Sequence, residues 1–372
     1  MLRKYPWFLL VLSMLMLLSA CGPDEAVVSP TPRPVPALQT STSAPSPALT
    51  PISDPVCILS GEEIVSLCGT AFSHDAMITA EGKLLAWNET PFDLGQCVLR
   101  QDNGGHLDVY ELPLENVTGA WLGRTSILAL DRDGVLWGLG DNNHGQLWNA
   151  SQYEGWDTPV KLTDHVVSAI IEQWDYSAAV KDDGGVWLMG SGSDLTGEKR
   201  LPPTQIAKIN GAVEIYGGVA LYVRDKNGVS WRVGNARELL KDPTAATDPY
   251  SGIRWLREDL WLTDGGELVR DLPGGEERTL LTDVADVDLS YDIYSTAVTK
   301  GGDLYVWSEG SPEEEGRLIV DGPTKVMEGI KLAGAWEHGV VAATQANGAV
   351  WAIYADALNA ALVDGRLLTL SA

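Results

Sequence analysis

The residues with the greatest chemical potential are few. Four cysteines stand at positions 21, 57, 68 and 97, and five histidines at 74, 106, 144, 165 and 338. No two histidines have the close spacing of a zinc-binding helix, and there is no Cys-x-x-Cys, so the sequence predicts no zinc site. Asp131-Arg132-Asp133-Gly134 opens like a calcium loop but lacks the later Glu that such loops need. A hairpin turn accounts for it better, because Asp-Gly accepts positive φ. Gly190-Ser191-Gly192-Ser193 has no Lys-Ser/Thr and helix behind it, which rules out a phosphate cradle. No Gly-x-Ser-x-Gly elbow is present. The expectation is a non-enzyme with no cofactor and no metal.

The elements that hold these residues begin with an address. Arg3 and Lys4 give a positive start, and an apolar run follows from Trp7 to Leu18, broken only by Ser13. The run falls short of the roughly 20 residues of a bilayer span, and small residues follow it, as in an export signal. Leu18-Ser19-Ala20-Cys21-Gly22 resembles the lipobox of bacterial lipoproteins. That resemblance implies cleavage after residue 20, a lipid on the thiol of Cys21, and residence at a bacterial cell membrane facing the extracytoplasmic side.

Residues 21–56 form the second part. Nine prolines lie between Pro23 and Pro55, separated by Ser, Thr and Ala, with no aromatic residue. Such a stretch cannot bury enough apolar surface to offset its ordering entropy. A disordered, polyproline-like tether is expected. At about 3.1 Å per residue it reaches on the order of 100 Å.

Charge narrows the partners. The chain has 26 basic and 51 acidic residues, a net charge of −25. Loss of Arg3 and Lys4 with the signal leaves 24 basic residues against 51 acidic ones, or −27. Nucleic-acid binding draws its affinity from Lys and Arg on phosphates, so it is excluded as a class. Adhesion to anionic lipid through charge is excluded likewise. Any membrane contact is expected through the lipid on Cys21 alone.

Residues 57–372 read as a repeat array. Turn glycines recur at 82, 134, 184, 228, 266, 302 and 348, at spacings of 36 to 52 residues. β-rich runs such as LALDRD and AATQAN precede them, and runs such as GVLWGLG and GAVWAIY follow. Each repeat therefore holds at least one antiparallel hairpin and has room for four strands. The hairpins are apolar on both faces, at Leu136 and Trp137 or Val186 and Trp187 for example, so both faces must be covered. A closed radial stack supplies that cover without polar end caps. The fold expected is all-β, a seven-bladed β-propeller. Trp87, Trp137, Trp187, Trp231, Trp307 and Trp351 follow the turn glycines and are assigned to packing between blades.

Residues 131–147, DRDGVLWGLGDNNHGQL, resemble the repeat of the regulator-of-chromosome-condensation family. Asp141 to Leu147 match the second half of that pattern, and Trp148 stands where its last glycine would be. Asp292 to Thr299 and Phe72 to Ala76 resemble the family's His-Ser-x-Ala-Leu-Thr run. The resemblance covers roughly residues 62–354 and implies seven blades. Only the second repeat carries the full Gly-Gln-Leu signature, and the fourth and fifth are degenerate. His74 and His338 fall near the repeat's usual His, where a structural hydrogen bond is expected.

Phe72, Trp174, Tyr176, Tyr291, Tyr294 and Trp336 fall in or beside the links between first and second strands, which share one end of a propeller. Aromatics on loops of a rigid scaffold suit binding, so these six are the candidate partner anchors. Of the cysteines other than Cys21, three pairings are open, and Cys57–Cys97 is the expected bridge in an exported chain. Cys68 precedes Gly69 at a strand end that favours a small buried side chain. The function expected is a surface-anchored, monomeric binding module for an extracytoplasmic protein. The alternatives are a wall-glycan binder, or an inhibitor of a secreted enzyme as in some exported members of the family.

Overall fold

The computed structural model of the chain describes residues 55–370, except 70–73, 89–96, 104–106, 124–125, 149–155, 172–175, 192–199, 218–219, 244–246, 258, 273, 290–293, 309–319 and 337–338. Of the expected leader and tether, residues 1–56, residues 1–54 lie outside the described residues, and Val56 begins a strand.

Seven antiparallel sheets follow one another along the chain. Blade 1 has strands Ile64–Gly69, His74–Thr79, Leu84–Asn88 and Asp108–Glu111, with Val98–Gln101 added as a fifth, outermost strand. Blade 2 is Val117–Leu122, Ser126–Asp131, Leu136–Gly140 and Trp156–Thr163, and blade 3 is Val166–Ile171, Tyr176–Lys181, Gly185–Ser191 and Arg200–Lys208. Blade 4 is Ala212–Gly217, Ala220–Asp225, Ser230–Asn235 and Asp248–Tyr250. Blade 5 is Ile253–Arg257, Leu260–Thr263, Leu268–Leu272 and Glu276–Leu281. Blade 6 is Val284–Leu289, Ser295–Thr299, Leu304–Ser308 and Val320–Met327.

Blade 7 explains how the ring closes. Its first three strands are Ile330–Trp336, Gly339–Thr344 and Val350–Tyr354, but its fourth, Val56–Leu59, comes from the start of the head. Val56 pairs with Ala352, Cys57 with Trp351 and Leu59 with Val350. A strand pair formed across the whole head therefore locks first repeat to last and leaves no open end to cap.

The apolar patterning is met by burial on both faces. Every residue of Gly339–Thr344 is buried, and five of six in Ser126–Asp131 and in Tyr176–Lys181. Side chains of neighbouring blades share cores. Leu84, Ala86, Leu112, Val117, Ile127 and Ala129 fill the space between blades 1 and 2. Small residues recur on the inner strands, at Ala120, Ala169, Ala212 and Ala333, where the wedge between blades is narrowest.

Alternation of strand direction gives the ring two unlike rims. Turns joining second to third strands, and links from one blade to the next, lie on one rim and span only two to five residues each. The third strands end on the other, at Gly140, Ser191, Asn235 and Ser308 for example. Two helices also start there, α1 (Ala236–Lys241) after the third strand of blade 4 and α2 (Ala355–Asp364) after that of blade 7. Ala357, Leu358 and Ala361 of α2 pack into the core shared by blades 6 and 7. No helix among the described residues is long and apolar enough to cross a membrane.

Candidate functional site

The seven turn glycines occupy seven equivalent positions. Each has positive φ, between 69° at Gly348 and 90° at Gly302, which side chains rarely adopt. Its N–H donates to the carbonyl three residues back, as from Gly82 to Thr79 at 2.9 Å, or four back at Gly348. The accepting residue is Thr79, Asp131, Lys181, Asp225, Thr263, Thr299 or Thr344, and its side chain often caps the same turn. Asp131 Oδ1 accepts from the N–H groups of Asp133 and Val135, each at 2.9 Å, while its Oδ2 accepts from Trp137 Nε1 at 2.8 Å. Asp225 does the same with Asn227, Val229 and Trp231. Burial alone would raise the pKa of Asp225; those three hydrogen bonds and the charge of Arg224 together outweigh it and hold the carboxyl below the usual range. Asp131, which opens the calcium-like run, is thus a turn cap, as the hairpin reading expects. Among the described residues no three His, Cys, Asp or Glu side chains are grouped to hold a metal ion.

The same turns tie the tight rim together. Val117 N–H donates to Gly82 O at 2.8 Å, Val166 to Gly134 at 3.0 Å, Ile209 to Gly184 at 2.8 Å, Val284 to Gly266 and Ile330 to Gly302, both at 2.9 Å. Each bond joins one blade to the next. This rim is occupied by scaffold bonding.

On the opposite rim the Gly-Gln-Leu segment is a buried polar plug. Asn142, Gln146 and Leu147 are 0%, 4% and 0% exposed. Asn142 Oδ1 accepts from Leu147 N–H at 2.8 Å, and Gln146 Nε2 donates to Asp141 O at 2.9 Å. Ser177 Oγ of blade 3 donates to Gln146 O, and His144 Nδ1 lies 3.2 Å from Ser191 Oγ. The segment stitches blade 2 to blade 3. Trp148 has φ of 55° where the repeat favours glycine, and its ring lies 6.5 Å from that of Trp187, with Lys181 Nζ against both.

The three expected aromatic anchors among the described residues do not line a surface. Tyr176, Tyr294 and Trp336 are 2%, 3% and 3% exposed and belong to cores between blades. Tyr294 Oη also donates to Asn359 Oδ1 of α2 at 3.1 Å, beneath a helix the sequence reading did not foresee. A side chain so enclosed has no face to offer, so these three are corrected from anchors to core. Phe72, Trp174 and Tyr291 lie outside the described residues. Of the tryptophans assigned to packing, Trp87 and Trp307 are fully buried and Trp351 is 8% exposed; Trp137, Trp187 and Trp231 are half-buried.

The expected Cys57–Cys97 bridge is likewise absent. Cys57, Cys68 and Cys97 are free thiols. Cys57 is on the closing strand of blade 7, whereas Cys97 packs into the core between blades 1 and 2, so the sheet of blade 1 lies between them. Burial pushes the Cys68 thiol up to about 11 and raises Cys57 and Cys97 as well, which leaves all three poor nucleophiles. Cys21 lies outside the described residues.

One seam departs from the rest. Between blades 4 and 5 the filling is aromatic and charged. Tyr216 stacks on Tyr222 at 5.6 Å, and Trp255 packs against that cluster and against Trp261 at 5.2 Å. Arg254 lies over the Tyr216 ring at 5.2 Å and donates to Glu214 at 2.7 Å. Arg224 reaches Asp264 across the seam at 2.7 Å. Burial pushes the Tyr216 phenol up, against its bond to Ser230 Oγ and the charge of Arg254.

The chain is 28% identical over 195 residues to the RCC1 domain-containing protein RUG3, mitochondrial, of Arabidopsis thaliana. That match covers 47% of this chain and 43% of the relative, so less than half of the relative's length is spanned. Yeast RCC1 (Prp20), solved bound to Kap60, superposes with a TM-score of 0.51 at 18% identity, over 83% of this chain and 84% of that one. Human WBSCR16 superposes with a TM-score of 0.52 at 17% identity, over 76% and 87%. No family model matches the chain. Fold and sequence relative agree with the repeat resemblance at residues 131–147: the head is a seven-bladed β-propeller similar to RCC1-type propellers.

Proposed function

We propose that this chain is a lipid-anchored, extracytoplasmic binding module that captures a protein through the rim of its propeller where the third strands end. The observation that carries the reading is the asymmetry of the rims. One rim is built from short turns and links whose backbone groups are consumed in joining blades. On the other the third strands end and helices α1 and α2 begin, a setting that suits binding segments held on a rigid scaffold. The bond of yeast RCC1 to Kap60 supports a protein partner. The export signal and Cys21 support the address, and the acidic balance supports a partner with a basic surface.

The test is crosslinking on intact cells. Glu238→Arg with Val363→Arg, exposed positions on α1 and α2, should abolish the crosslinked partner and leave the melting temperature unchanged. Lys226→Ala and Arg132→Ala on the tight rim should leave capture intact. Loss of capture only from the tight-rim variants would overturn the choice of rim. Cys21→Ser should release the head from the membrane fraction; continued membrane residence would overturn the anchor.

A further inference from the structure

The outer edges of the seven blades are not equally protected. An exposed edge strand offers unpaired backbone groups to another chain, and proteins blunt such edges with proline, charge or cover. Pro159 interrupts the outer strand of blade 2, Pro202 and Pro203 that of blade 3, Pro249 that of blade 4 and Pro323 that of blade 6. Blade 5 ends on Glu276, Glu277 and Arg278. The closing strand of blade 7 has no exposed side chain.

Blade 1 breaks this pattern. Its outermost strand, Val98–Gln101, has no proline and ends a five-stranded sheet. Val98 is 60% and Leu99 49% exposed, and as neighbours on a strand they point to opposite faces. Both faces of the edge are therefore apolar and wet. The one basic residue, Arg100, is spent on Glu62 at 2.9 Å and Glu111 at 3.3 Å. Asp102, exposed, directly follows the strand, and Asp108 begins the strand it pairs with, where its Oδ1 accepts from the Asn103 N–H at 2.7 Å.

We propose that the strand Val98–Gln101 is a docking edge for an extended, basic segment of another protein, which would add to blade 1 as a sixth strand. Backbone pairing supplies the register, Val98 and Leu99 take apolar side chains on either face, and the acidic surround selects lysine or arginine beside them. A second copy of this chain is the wrong occupant, because it would bring the same acidic edge. This surface lies on the outer wall, apart from the rim where the third strands end, and stands or falls separately from the partner proposed there.

The test uses the full chain and a labelled peptide of about ten residues alternating valine with lysine or threonine, with two controls: glutamate in place of lysine, and proline at its centre. The basic peptide should bind and slow amide exchange across residues 98–101. Both controls should bind about tenfold more weakly or less. Val98→Lys with Leu99→Lys should abolish the protection; both positions are exposed, so the melting temperature serves as the check on folding. Absence of binding by the basic peptide, protection that survives the double substitution, or self-association abolished by that substitution would each overturn the proposal.

Discussion

The seam between blades 2 and 3 and the seam between blades 4 and 5 solve one problem by different means. At the first, Val166 N–H reaches Gly134 O, and the plug at 141–147 sends buried bonds from blade to blade over an aliphatic core of Leu128, Leu136 and Ala169. At the second, the described residues show no bond to Gly228 O, and the link of blade 4 that corresponds to the plug opens with α1, whose Leu239 and Leu240 pack back into the core shared by blades 3 and 4. Ion pairs and stacked rings replace them, and Arg254 Nε and Trp255 Nε1 are buried without a partner. A backbone bond tolerates no intrusion but asks little of side chains. A side-chain seam leaves room and depends on charge. Degenerate repeats can therefore stay in a ring, provided the lost backbone bonding is answered by side chains that no repeat pattern records.

The same contrast between a backbone-bonded seam and a side-chain seam is sharpest at two glycines of similar φ, Gly184 at the seam between blades 3 and 4 and Gly228 at the seam between blades 4 and 5. Gly184 has φ of 83° and Gly228 of 81°. A Cβ on Gly184 would stand 2.3 Å from Ile209 O, the atom held by the next blade; on Gly228 its nearest neighbour is the flexible Arg224 Nη2 at 3.4 Å. Gly184→Ala should cost about 3 kcal/mol or more, from backbone strain and a clash that must displace a strand. Gly228→Ala should cost about 1 kcal/mol, the strain alone. Urea unfolding of the two variants measures the difference, and equal losses would mean that the seams do not differ in closeness.

Charge supplies the next two tests. Asn142→Ala leaves the Leu147 N–H buried without its acceptor and should cost about 2 kcal/mol, unchanged by salt. Glu214→Ala removes the partner of Arg254, whose side chain is 29% exposed, and should cost about 1 kcal/mol after allowance for solvent. That smaller loss should shrink toward zero in 1 M salt, where the Debye length is about 3 Å. Thermal melts of both variants across salt concentration make the comparison. A salt-independent Glu214→Ala would assign its effect to packing.

What could be read in advance follows what each feature demands of its residues. A positive φ demands glycine, so all seven turns were legible at 82, 134, 184, 228, 266, 302 and 348, and with them the blade count. The plug was legible because its buried amides require Asn142 and Gln146 at fixed offsets. Strand closure was not: Val56–Leu59 is four apolar residues beside a proline tract, and its partner Val350–Tyr354 lies at the far end of the chain. Tyr176, Tyr294 and Trp336 were misplaced because an aromatic beside a link reads alike whether it faces solvent or a neighbouring blade. Helix α2 did leave a signal, the apolar spacing of Ala357, Leu358 and Ala361 in ADALNAALVD, but it lay past the last repeat. The Thr or Asp before six of the seven turns was also present, and its meaning emerged only with the hydrogen bonds drawn.

The smallest effect concerns that recurring position. Asp225 and Asp131 cap equivalent turns, yet Asp225 is only 5% exposed and lies on the side-chain seam, one residue from Arg224. Its pKa is depressed in the folded chain, so it contributes stability above the ordinary Asp value of about 4, and that contribution disappears as pH falls through the folded value. Asp225→Asn keeps an acceptor for the turn while removing the titration. The variant should be somewhat less stable than the parent at pH 7 and should lose less on acidification below about pH 4. If parent and variant show parallel losses across that range, the charge on Asp225 does not support the turn, and the blade 4–5 seam rests on Arg254 and the aromatic stack alone.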